Sequence, residues 1–427
     1  MAEAGPLLGA VVELDVGQVA HGGSCVARHE GRVVFVRHAL PGERVTARVT
    51  EDRGGAYCRA DVVDVLVRSP ERVKAPCPHA GPGRCGGCDW QHASPSAQRE
   101  LKASVVRDQF TRLAGMELDA GFRVEELPGG SLGWRTRITF GVGPDGRPGM
   151  HRHRSAALER VEVCPLGVPG VGDSPVWSQR WPGCSGIEVV HAQDEVGILE
   201  HRPGPGRQAR GRRPPDRVTV VQGPARLAQR INDHEFLVAA SGFWQVHPHA
   251  APAFAAALID GLSPRPGEAV LDLYAGAGAL SVILADAVGN TGRVVAVESS
   301  RQAAADAAQN LAAMPWAQVL TGRVTGPFLA GIDVVADLVV LDPPRAGAGR
   351  EVMNAVIGLA PRAIGYVGCD PASLARDVRT ALDAGWRLDG IRAFDAFPMT
   401  HHVECVAILT PAGQSAAGQT QPVGSLV

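Results

Sequence analysis

Residues 364–371 read Ile-Gly-Tyr-Val-Gly-Cys-Asp-Pro, and this stretch decides the fold of the region around it. The apolar run predicts a buried strand, and residues 372–378 begin a helical pattern. The cysteine would therefore lie at the carboxyl end of a strand, where α/β sheets bind their ligands. The nearby helix N-terminus favours thiolate over thiol. We predict that Cys369 is a nucleophile, although a lone cysteine is more often an inert core residue.

Two further motifs accompany this cysteine. Asp342-Pro343-Pro344-Arg345 follows another predicted buried strand, and His402-Val403-Glu404 lies at a later one. The two prolines have no amide hydrogens and make a rigid turn. Such a turn can hold a hydrogen-bond acceptor and backbone carbonyl groups beside a planar base. A simple turn is the plainer interpretation. From residue 241 onward strands and helices alternate, which predicts an α/β domain with a parallel sheet over 241–411.

A glycine turn lies earlier in the same region. Residues 270–279 read Val-Leu-Asp-Leu-Tyr-Ala-Gly-Ala-Gly-Ala, a predicted strand followed by the start of a helix. Glycines let the backbone approach a nucleotide closely, and Glu298 closes the next strand, where a carboxylate can bind ribose hydroxyls. A dinucleotide fold shares these features, but its third glycine would fall at Ser281. The sequence favours a nucleotide without a pyrophosphate, and S-adenosylmethionine fits that description.

The first 68 residues have a different pattern. Five short strand-like stretches with Gly and Pro turns between them, and no helical periodicity, predict a small β-barrel of the oligonucleotide-binding type over 1–68. Arginines would make its edges basic: Arg28, Arg32, Arg37, Arg44 and Arg48. A solvated charged surface explains any one of them equally well.

Residues 69–240 are predicted to form a central domain that is mostly β, with a helical stretch from Ser96 to Leu113. The run 202–217 carries six arginines with Pro and Gly, and indicates a flexible basic loop. Contact with a polyanion is one interpretation of this loop, and a disordered insertion is the plainer one. Residues 412–427 are small and polar, and we expect a disordered tail.

Composition limits the class of protein. The chain has 427 residues, 20% charged and 45% apolar, which is typical of a globular protein with several domains. No apolar run approaches the roughly 18 residues that span a membrane, and residues 1–6 do not resemble a signal peptide. A cytoplasmic monomer is expected. The net charge of −2 argues against a uniformly basic nucleic-acid binder, so contacts with nucleic acid would come from local patches.

Nine cysteines in such a chain suggest metal binding or catalysis rather than disulfides. Three of them cluster within residues 77–88, and Cys164 follows far along the chain. The other four besides Cys369 are interpreted as core residues: Cys25, Cys58, Cys184 and Cys405.

Taken together, the motifs resemble those of the RNA 5-methyluridine methyltransferase family over residues 11–409. The resemblance is carried by Phe243-Trp244-Gln245-Val246, Asp272-Leu273-Tyr274, Asp342 to Arg345, Tyr366 to Asp377, and Phe397 to Glu404. It implies an N-terminal TRAM barrel, a central domain with an iron–sulfur cluster, and a Rossmann-like class I methyltransferase domain. It implies S-adenosylmethionine contacts from four residues: Gln245, Tyr274, Glu298 and Asp342.

The resemblance also implies that Cys369 is the nucleophile and Glu404 the proton acceptor. Carbon 5 of uracil is too weak a nucleophile to attack a methyl sulfonium until a thiolate adds to carbon 6. A base must then remove the proton on carbon 5 so that the thiol can leave. The predicted substrate is structured RNA, with ribosomal and transfer RNA both open. The rivals are methylation of an exocyclic nitrogen, and an RNA-binding or RNA-remodelling protein with a decayed catalytic domain.

The same resemblance assigns a 4Fe–4S cluster to four thiolates: Cys77, Cys85, Cys88 and Cys164. Such a set suits thiolate ligation of a cubane cluster, and zinc held by four cysteines is the alternative. The chain departs from the family pattern in the spacing between Cys77 and Cys85, which is longer than expected. It also has Gly368 and Asp370 around the nucleophile where Ser and Asn are expected, and His247 in place of Asn.

Overall fold

Five strands near the N-terminus form the first sheet of this computed structural model, which describes residues 7–204 and 215–413. They are β1 (Val11–Asp15), β2 (Cys25–His29), β3 (Arg32–Arg37), β4 (Arg44–Asp52) and β5 (Tyr57–Val67). Buried and exposed residues alternate along β1, where Val12 and Leu14 point inward. The five predicted strands are therefore present, at nearly the predicted bounds.

The order of this sheet is β1-β4-β5-β3-β2, so that β1 and β2 are its edges. Gly17 donates to the carbonyl of Val26 in β2 at 2.8 Å, and Val26 donates back to the carbonyl of Gln18 at 2.8 Å. A Cβ atom on residue 17 would lie 2.8 Å from the Val26 oxygen, so glycine permits this close approach. These bonds bring the chain just past β1 against β2, while full closure into a barrel stays a prediction.

A helix connects this sheet to the rest of the molecule. Helix α1 (Pro95–Gln109) begins at Ser94, whose hydroxyl accepts from the Ala97 amide, and Pro95 occupies its first turn. A π-helical turn (Phe110–Ala114) extends it to Gly115, which takes the left-handed conformation. The predicted helix over 96–113 is therefore confirmed.

The second sheet has the order β12-β11-β10-β7-β8-β9, and a separate hairpin, β13-β14, follows it. The strands from 124 to 239 are β6 (Val124–Glu126), β7 (Arg137–Val142), β8 (Pro148–His151), β9 (Leu158–Glu159), β10 (Gly186–Ala192), β11 (Glu195–Arg202), β12 (Arg217–Gln222), β13 (Arg226–Ile231) and β14 (His234–Ala239). A 3-10 turn covers Pro175–Ser178. Much of the predicted basic run 202–217 and of the predicted tail 412–427 lies outside the described residues.

The third sheet has eight strands in the order β17-β16-β15-β18-β19-β21-β20-β6. Its strands are β15 (Ala269–Leu273), β16 (Arg293–Glu298), β17 (Ala317–Thr321), β18 (Leu338–Leu341), β19 (Ala363–Gly368), β20 (Trp386–Asp395) and β21 (Glu404–Pro411), besides β6. The helices between them are α2 (Ala250–Leu262), α3 (Ala279–Val288), α4 (Arg301–Asn310), α5 (Gly326–Ala330), α6 (Gly349–Gly358) and α7 (Pro371–Asp383).

This sheet confirms the predicted α/β architecture. Strands β15 to β19 pair in parallel. The residues of β15, β16, β18 and β19 are almost completely buried, as a sheet covered by helices on both faces requires, whereas the edge strand β17 is more exposed. Strand β21 is antiparallel to β19, so the chain enters β21 at the edge where β19 ends. The strand order reverses between β15 and β18, and such switch points form a crevice at the carboxyl ends of the strands.

Parts of the region before residue 241 pack into this third unit. Strand β6 pairs in parallel with β20 at the sheet edge. The hairpin β13-β14 rests on α4, where the Asp306 carboxylate accepts from Arg226 at 2.6 Å and from the Ala239 amide at 3.0 Å. Neither contact was expected from the sequence. In the described ranges, no helix combines the length and apolar character needed to cross a bilayer.

Candidate active site

Several parallel strands of the third sheet end at one edge and carry functional side chains there. Tyr274, Asp342 and Cys369 each come directly after a strand, β15, β18 and β19 respectively. A cavity of about 1070 Å³ opens at this edge. Its lining includes all six residues predicted to bind the cofactor or react: Gln245, Tyr274, Glu298, Asp342, Cys369 and Glu404. The fold therefore brings together side chains that are spread over 160 positions of sequence.

The predicted nucleophile and base come from neighbouring strands. Gly368 of β19 lies opposite Cys405 of β21 in antiparallel register, which makes Cys369 and Glu404 the next facing positions. Facing residues of antiparallel strands have Cα atoms roughly 4.5–5.5 Å apart. Glu404 is only 4% exposed, so the pair sits at the buried floor of the cavity.

The Cys369 side chain is a thiol in this environment. Burial raises its pKa to about 12, and the nearby carboxyls of Glu404 and Asp342 act in the same direction. The Arg345 guanidinium opposes them and favours the thiolate. A helix N-terminus favours a thiolate, but burial and the two carboxyls act in the opposite direction and the pKa of Cys369 is raised.

The carboxyls around the thiol also resist ionisation. Burial raises the pKa of Glu404 well above its usual value, with a further contribution from Asp342 and an opposing one from Arg345. Burial raises the pKa of Asp342 to about 7, and Asp272 adds to the effect. Once it is ionised, a carboxyl with a raised pKa is a stronger base than an exposed one, which suits a proton acceptor.

The other half of the cavity has the features of a nucleoside site. The Glu298 carboxylate accepts from the Gly276 amide at 3.0 Å and from the Ser300 amide at 2.6 Å. These bonds hold Glu298 between the glycine turn and the start of α4. Tyr274 has a φ of +64°, an uncommon conformation for a non-glycine residue, and it begins the turn that leads to α3. The turn thus exposes backbone and a fixed carboxylate to the cavity, as the predicted ribose site requires.

Gln245 reaches the same cavity from a loop before α2. The next residue, Val246, accepts with its carbonyl from the Thr136 amide at 2.9 Å and from the Thr136 hydroxyl at 3.0 Å. The loop is thereby attached to the start of the second sheet. Arg135, which precedes the second sheet, and residues of the third sheet both line the site.

The loop that follows Asp342 is held by a carboxylate on α7. Asp377 accepts from the Tyr366 hydroxyl at 2.6 Å and from the Ala348 amide at 2.8 Å. A Cβ atom on residue 347, where φ is +84°, would lie 2.6 Å from an Asp377 oxygen. This arrangement fixes the turn that carries Arg345 over the cavity.

Three further cavity residues received no individual role in the sequence analysis. Asp272 is fully buried with one carboxyl oxygen unpartnered, while the other accepts from the Ser281 hydroxyl at 2.5 Å. Arg345 lies 3.4 Å from His402, measured between a guanidinium nitrogen and Nε2. Both Asp272 and Arg345 were part of recognised motifs, and a polar residue within an apolar strand was the signal that could have singled out Asp272.

The four clustered cysteines form a second group of polar side chains. Burial raises the pKa of Cys85 to about 11, and the thiols of Cys164 and Cys77 contribute in the same direction. Burial also raises the pKa of Cys88, which the other three sulfur atoms raise further. Cys85 and Cys88 therefore both lie near Cys77 and Cys164, while the shared metal site stays a prediction.

The surroundings of these sulfur atoms contain hydrogen-bond donors. The Gly87 amide donates to Cys85 Sγ at 3.4 Å, and Gln91 donates to Cys88 Sγ at 3.1 Å. Trp134 packs against Cys88 and Cys164, and its buried Nε1 has no partner. Over residues 7–204 and 215–413, no group of three or more His, Cys, Asp or Glu side chains is placed to hold a single metal ion. The four thiols fit an iron–sulfur cluster. The hydrogen-bond donors beside them, including the unpartnered N–H of Trp134, could donate to the sulfur atoms of such a cluster.

Comparisons with known families match two parts of the chain. The TRAM domain model matches residues 7–63. The tRNA (uracil-5-)-methyltransferase model matches residues 257–412. The first match covers the first sheet, and the second covers most of the third sheet with both Cys369 and Glu404.

Similar proteins align along nearly the whole chain. An uncharacterized RNA methyltransferase of Streptomyces avermitilis is 46% identical over 95% of this chain and 100% of its own length. Another from Streptomyces coelicolor is 47% identical over 96% of this chain and 94% of its own length. The crystal structure of the Pyrococcus abyssi tRNA (uracil-54, C5)-methyltransferase with S-adenosyl-L-homocysteine has a TM-score of 0.68 at 20% identity, covering 93% of this chain and 100% of that one. That structure shows the same fold.

Proposed function

Because the chain belongs to the family of S-adenosylmethionine-dependent RNA methyltransferases that contains the uracil-5-methyltransferases, we propose that it methylates carbon 5 of a uridine in structured RNA. The observation that carries the proposal is the facing pair of Cys369 and Glu404 beside a nucleoside-type cavity. A nitrogen-directed methyltransferase has no use for a thiol and a buried carboxyl in these positions. A protein that only binds or remodels RNA has no use for them either.

The reaction assigns one role to each residue. The Cys369 thiol releases its proton to solvent, and the thiolate adds to carbon 6 of uracil, which leaves carbon 5 as the carbon of an enolate. Carbon 5 attacks the methyl group of S-adenosylmethionine, and S-adenosylhomocysteine leaves. Glu404 then removes the proton from carbon 5, the carbon–sulfur bond breaks, and the double bond between carbons 5 and 6 forms again. The thiolate is released, so each electron pair is accounted for.

The raised pKa values fit this order of events. A thiol with a pKa of about 12 is protonated in the free protein, so it gives up its proton only when substrate is bound. Arg345 favours both anions, because it lowers the pKa of Cys369 and that of Glu404. We propose that Arg345 compensates the negative charge that develops during addition.

At about 1070 Å³, the cavity lies at the upper end of the range of roughly 300–1,000 Å³ for small-molecule sites. S-adenosylmethionine would be held by four residues that line this cavity: Gln245, Tyr274, Glu298 and Asp342. A uracil reaching Cys369 must leave its base stack, because carbons 5 and 6 are inaccessible within a helix.

The four cysteines are proposed to hold a 4Fe–4S cluster. Buried thiols become thiolates only when positive charge compensates them, and a cluster supplies that charge. Cys77, Cys85, Cys88 and Cys164 would be its ligands, and it would supply structure rather than electrons, since methyl transfer needs none. Four-cysteine zinc is the alternative that metal analysis distinguishes.

A covalent adduct tests the proposed reaction. RNA with 5-fluorouridine at the target should become bound to the protein in the presence of S-adenosylmethionine, because fluorine on carbon 5 cannot leave as a proton. The species should survive a denaturing gel and be absent from Cys369→Ala. Cys405→Ala is a matched control, because it removes the neighbouring buried thiol and should keep the adduct. An adduct that persists in Cys369→Ala contradicts the proposal.

The RNA class is tested separately. We propose structured RNA as the substrate, and labelled methyl transfer to unmodified ribosomal RNA and to unmodified transfer RNA would distinguish the two. The base-resolved position of 5-methyluridine, present in the parent strain and absent from a deletion strain, would identify the uridine.

A further inference from the structure

The segment just before Glu404 is fixed by other parts of the chain. Lys102 of α1 is fully buried, and its ammonium donates to the Asp395 carboxylate at 2.5 Å and to the Phe397 carbonyl at 3.0 Å. It is one of only two lysines in the protein. A buried ammonium in this position fixes the point where β20 ends and the segment toward Glu404 begins.

Met399 is held on both sides of its backbone. Its amide donates to Gln98 on α1 at 2.7 Å, and its carbonyl accepts from the amides of Asp89 and Trp90 at 2.9 and 3.0 Å. Met399 has a φ of +68°, a conformation that surrounding contacts must maintain. Gln98 and Lys102 are one helical turn apart, so a single face of α1 holds this segment.

The loop that carries the cysteines also reaches the segment through a side chain. The Asp89 carboxylate accepts from His401 twice, from the amide at 3.2 Å and from Nδ1 at 2.6 Å. Asp89 directly follows Cys88 and is mostly buried. His401 is three residues before Glu404.

We propose that Asp89 is a positioning residue for the reaction, which acts through His401 to hold Glu404 over carbon 5 of the bound uracil. This role rests on the proposed function. Cys369 is held separately, since the following residue, Asp370, caps α7 by accepting from the Ser373 amide at 2.8 Å. The two reacting groups therefore depend on different supports.

This separation gives the proposal a specific kinetic consequence. Addition of the thiolate requires Cys369, whereas removal of the carbon 5 proton requires Glu404. A displacement of about 1 Å in a catalytic group can reduce a rate by about a hundredfold. Loss of the Asp89 contact should therefore slow the second step and leave the first one intact.

Asp89→Ala tests the proposal in two assays. Adduct formation with 5-fluorouridine RNA should stay within about threefold of the wild-type rate. Turnover of the uridine RNA should fall about ten- to a hundredfold, with methylated RNA accumulating on the protein. Asp89→Asn should recover most of the turnover, because its amide oxygen can still accept from His401.

Two further variants guard against a misfolded protein. His401→Ala removes the same contact from the other side and should give the same kinetic pattern. Glu100→Gln removes an exposed contact of helix α1, to Arg107 at 3.0 Å, and should leave both rates near those of the wild type. Amide hydrogen exchange should rise in residues 397–406 of Asp89→Ala while residues 363–378 stay protected.

The possible outcomes distinguish the proposed role of Asp89 from the proposed methylation reaction. A wild-type protein that forms no adduct overturns the proposed reaction and this inference with it. A wild-type adduct combined with equal losses of both rates in Asp89→Ala, or with no loss of turnover, overturns only the role of Asp89. Unchanged hydrogen exchange in residues 397–406 of Asp89→Ala would likewise overturn only the role of Asp89.

Discussion

Cys369 and Glu404 face each other one position beyond the last backbone pair of two antiparallel strands, Gly368 with Cys405. The register of the sheet therefore brings the two residues opposite each other. The antiparallel direction of β21 is what makes this possible, because a parallel strand would begin at the opposite edge. In the proposed reaction, Cys369 at the end of one strand acts on carbon 6 of uracil, and Glu404 at the start of the next strand acts on carbon 5.

The first prediction concerns Glu404→Gln. The amide cannot accept the carbon 5 proton, so turnover should fall about 10²–10⁴-fold while methyl transfer to the bound RNA continues. The measurement is the amount of labelled methyl group that migrates with the protein on a denaturing gel. Turnover at the wild-type rate, or a protein that forms no methylated complex, would contradict the assigned role.

The second prediction concerns pH and Arg345. The Cys369 pKa is about 12, so the thiolate fraction and the rate of adduct formation should rise with pH between 7 and 9. Arg345 lowers the pKa of Cys369, so Arg345→Gln should shift this rise to higher pH and slow the reaction at pH 8 by roughly three- to tenfold. Arg345→Lys keeps the charge and should recover part of the rate. The same pH profile in all three proteins would show that Arg345 does not act through charge.

The third prediction concerns the four clustered cysteines. Protein purified without oxygen should be brown, with broad absorption near about 400 nm and equal amounts of iron and acid-labile sulfide. Cys164→Ser should lower the iron content, because Cys164 is the ligand contributed from far along the chain. Cys184→Ser is the matched control from the same region and should keep the iron. Colourless protein with stoichiometric zinc would favour the four-cysteine zinc site instead.

The fourth prediction concerns an ion pair between the first sheet's region and the active site. His21 lies 2.8 Å from Asp370, measured between Nε2 and a carboxylate oxygen, directly beside the nucleophile. The hydrogen bond to Asp370 raises the pKa of His21 in the folded protein. Its contribution to stability is therefore complete below the unfolded pKa of about 6.5 and is lost as the pH rises through the folded value.

Asp370 sets the lower limit of this pH range. Its pKa is lowered to about 2, because the bonds from His21 and Ser373 outweigh the opposing effect of burial. Its contribution is present above the unfolded value of about 3.9 and is lost as the pH falls toward the folded value. His21→Ala should reduce the free energy of unfolding by about 0.2–1 kcal/mol at pH 5.5 and by less at pH 9.

A double-mutant cycle with Asp370→Asn checks the pairing. Asparagine keeps the helix cap but removes the charge, so the coupling energy should be larger at pH 5.5 than at pH 9. Urea unfolding of the four proteins gives this energy directly. A coupling energy that is equal at both pH values would show that the pair is not ionic.

The sequence predicted five strands of the third sheet, because they are largely buried on both faces: β15, β16, β18, β19 and β21. A stretch such as Leu338–Leu341 is apolar without interruption, and this pattern is independent of its partners. The five strands near the N-terminus were equally clear, because alternating residues and glycine turns are local signals. Strands β6, β17 and β20 were not predicted. The three residues of β6 carry no periodicity, and β17 and β20 are partly exposed, so neither forms a continuous apolar run.

The pKa of Cys369 shows where local inference reaches its limit. A helix N-terminus is visible in the sequence, and it favours a thiolate. Glu404 and Asp342 raise the pKa instead, and they come from two other strands. The closure of the first sheet is a similar case, because it depends on how the edges β1 and β2 approach each other.

The sequence by itself determined which residues could react, because Cys369, Glu404, Asp342 and Glu298 lie in motifs whose neighbours specify strand ends and tight turns. Only the tertiary structure decided what surrounds them. It placed Asp89 of the cysteine loop against His401, and His21 of the N-terminal region against Asp370. Hydrophobic periodicity and turn chemistry act over only a few residues, so they can be recognised in the sequence. Burial, electric charge and hydrogen bonding act between groups that only folding brings within a few ångströms.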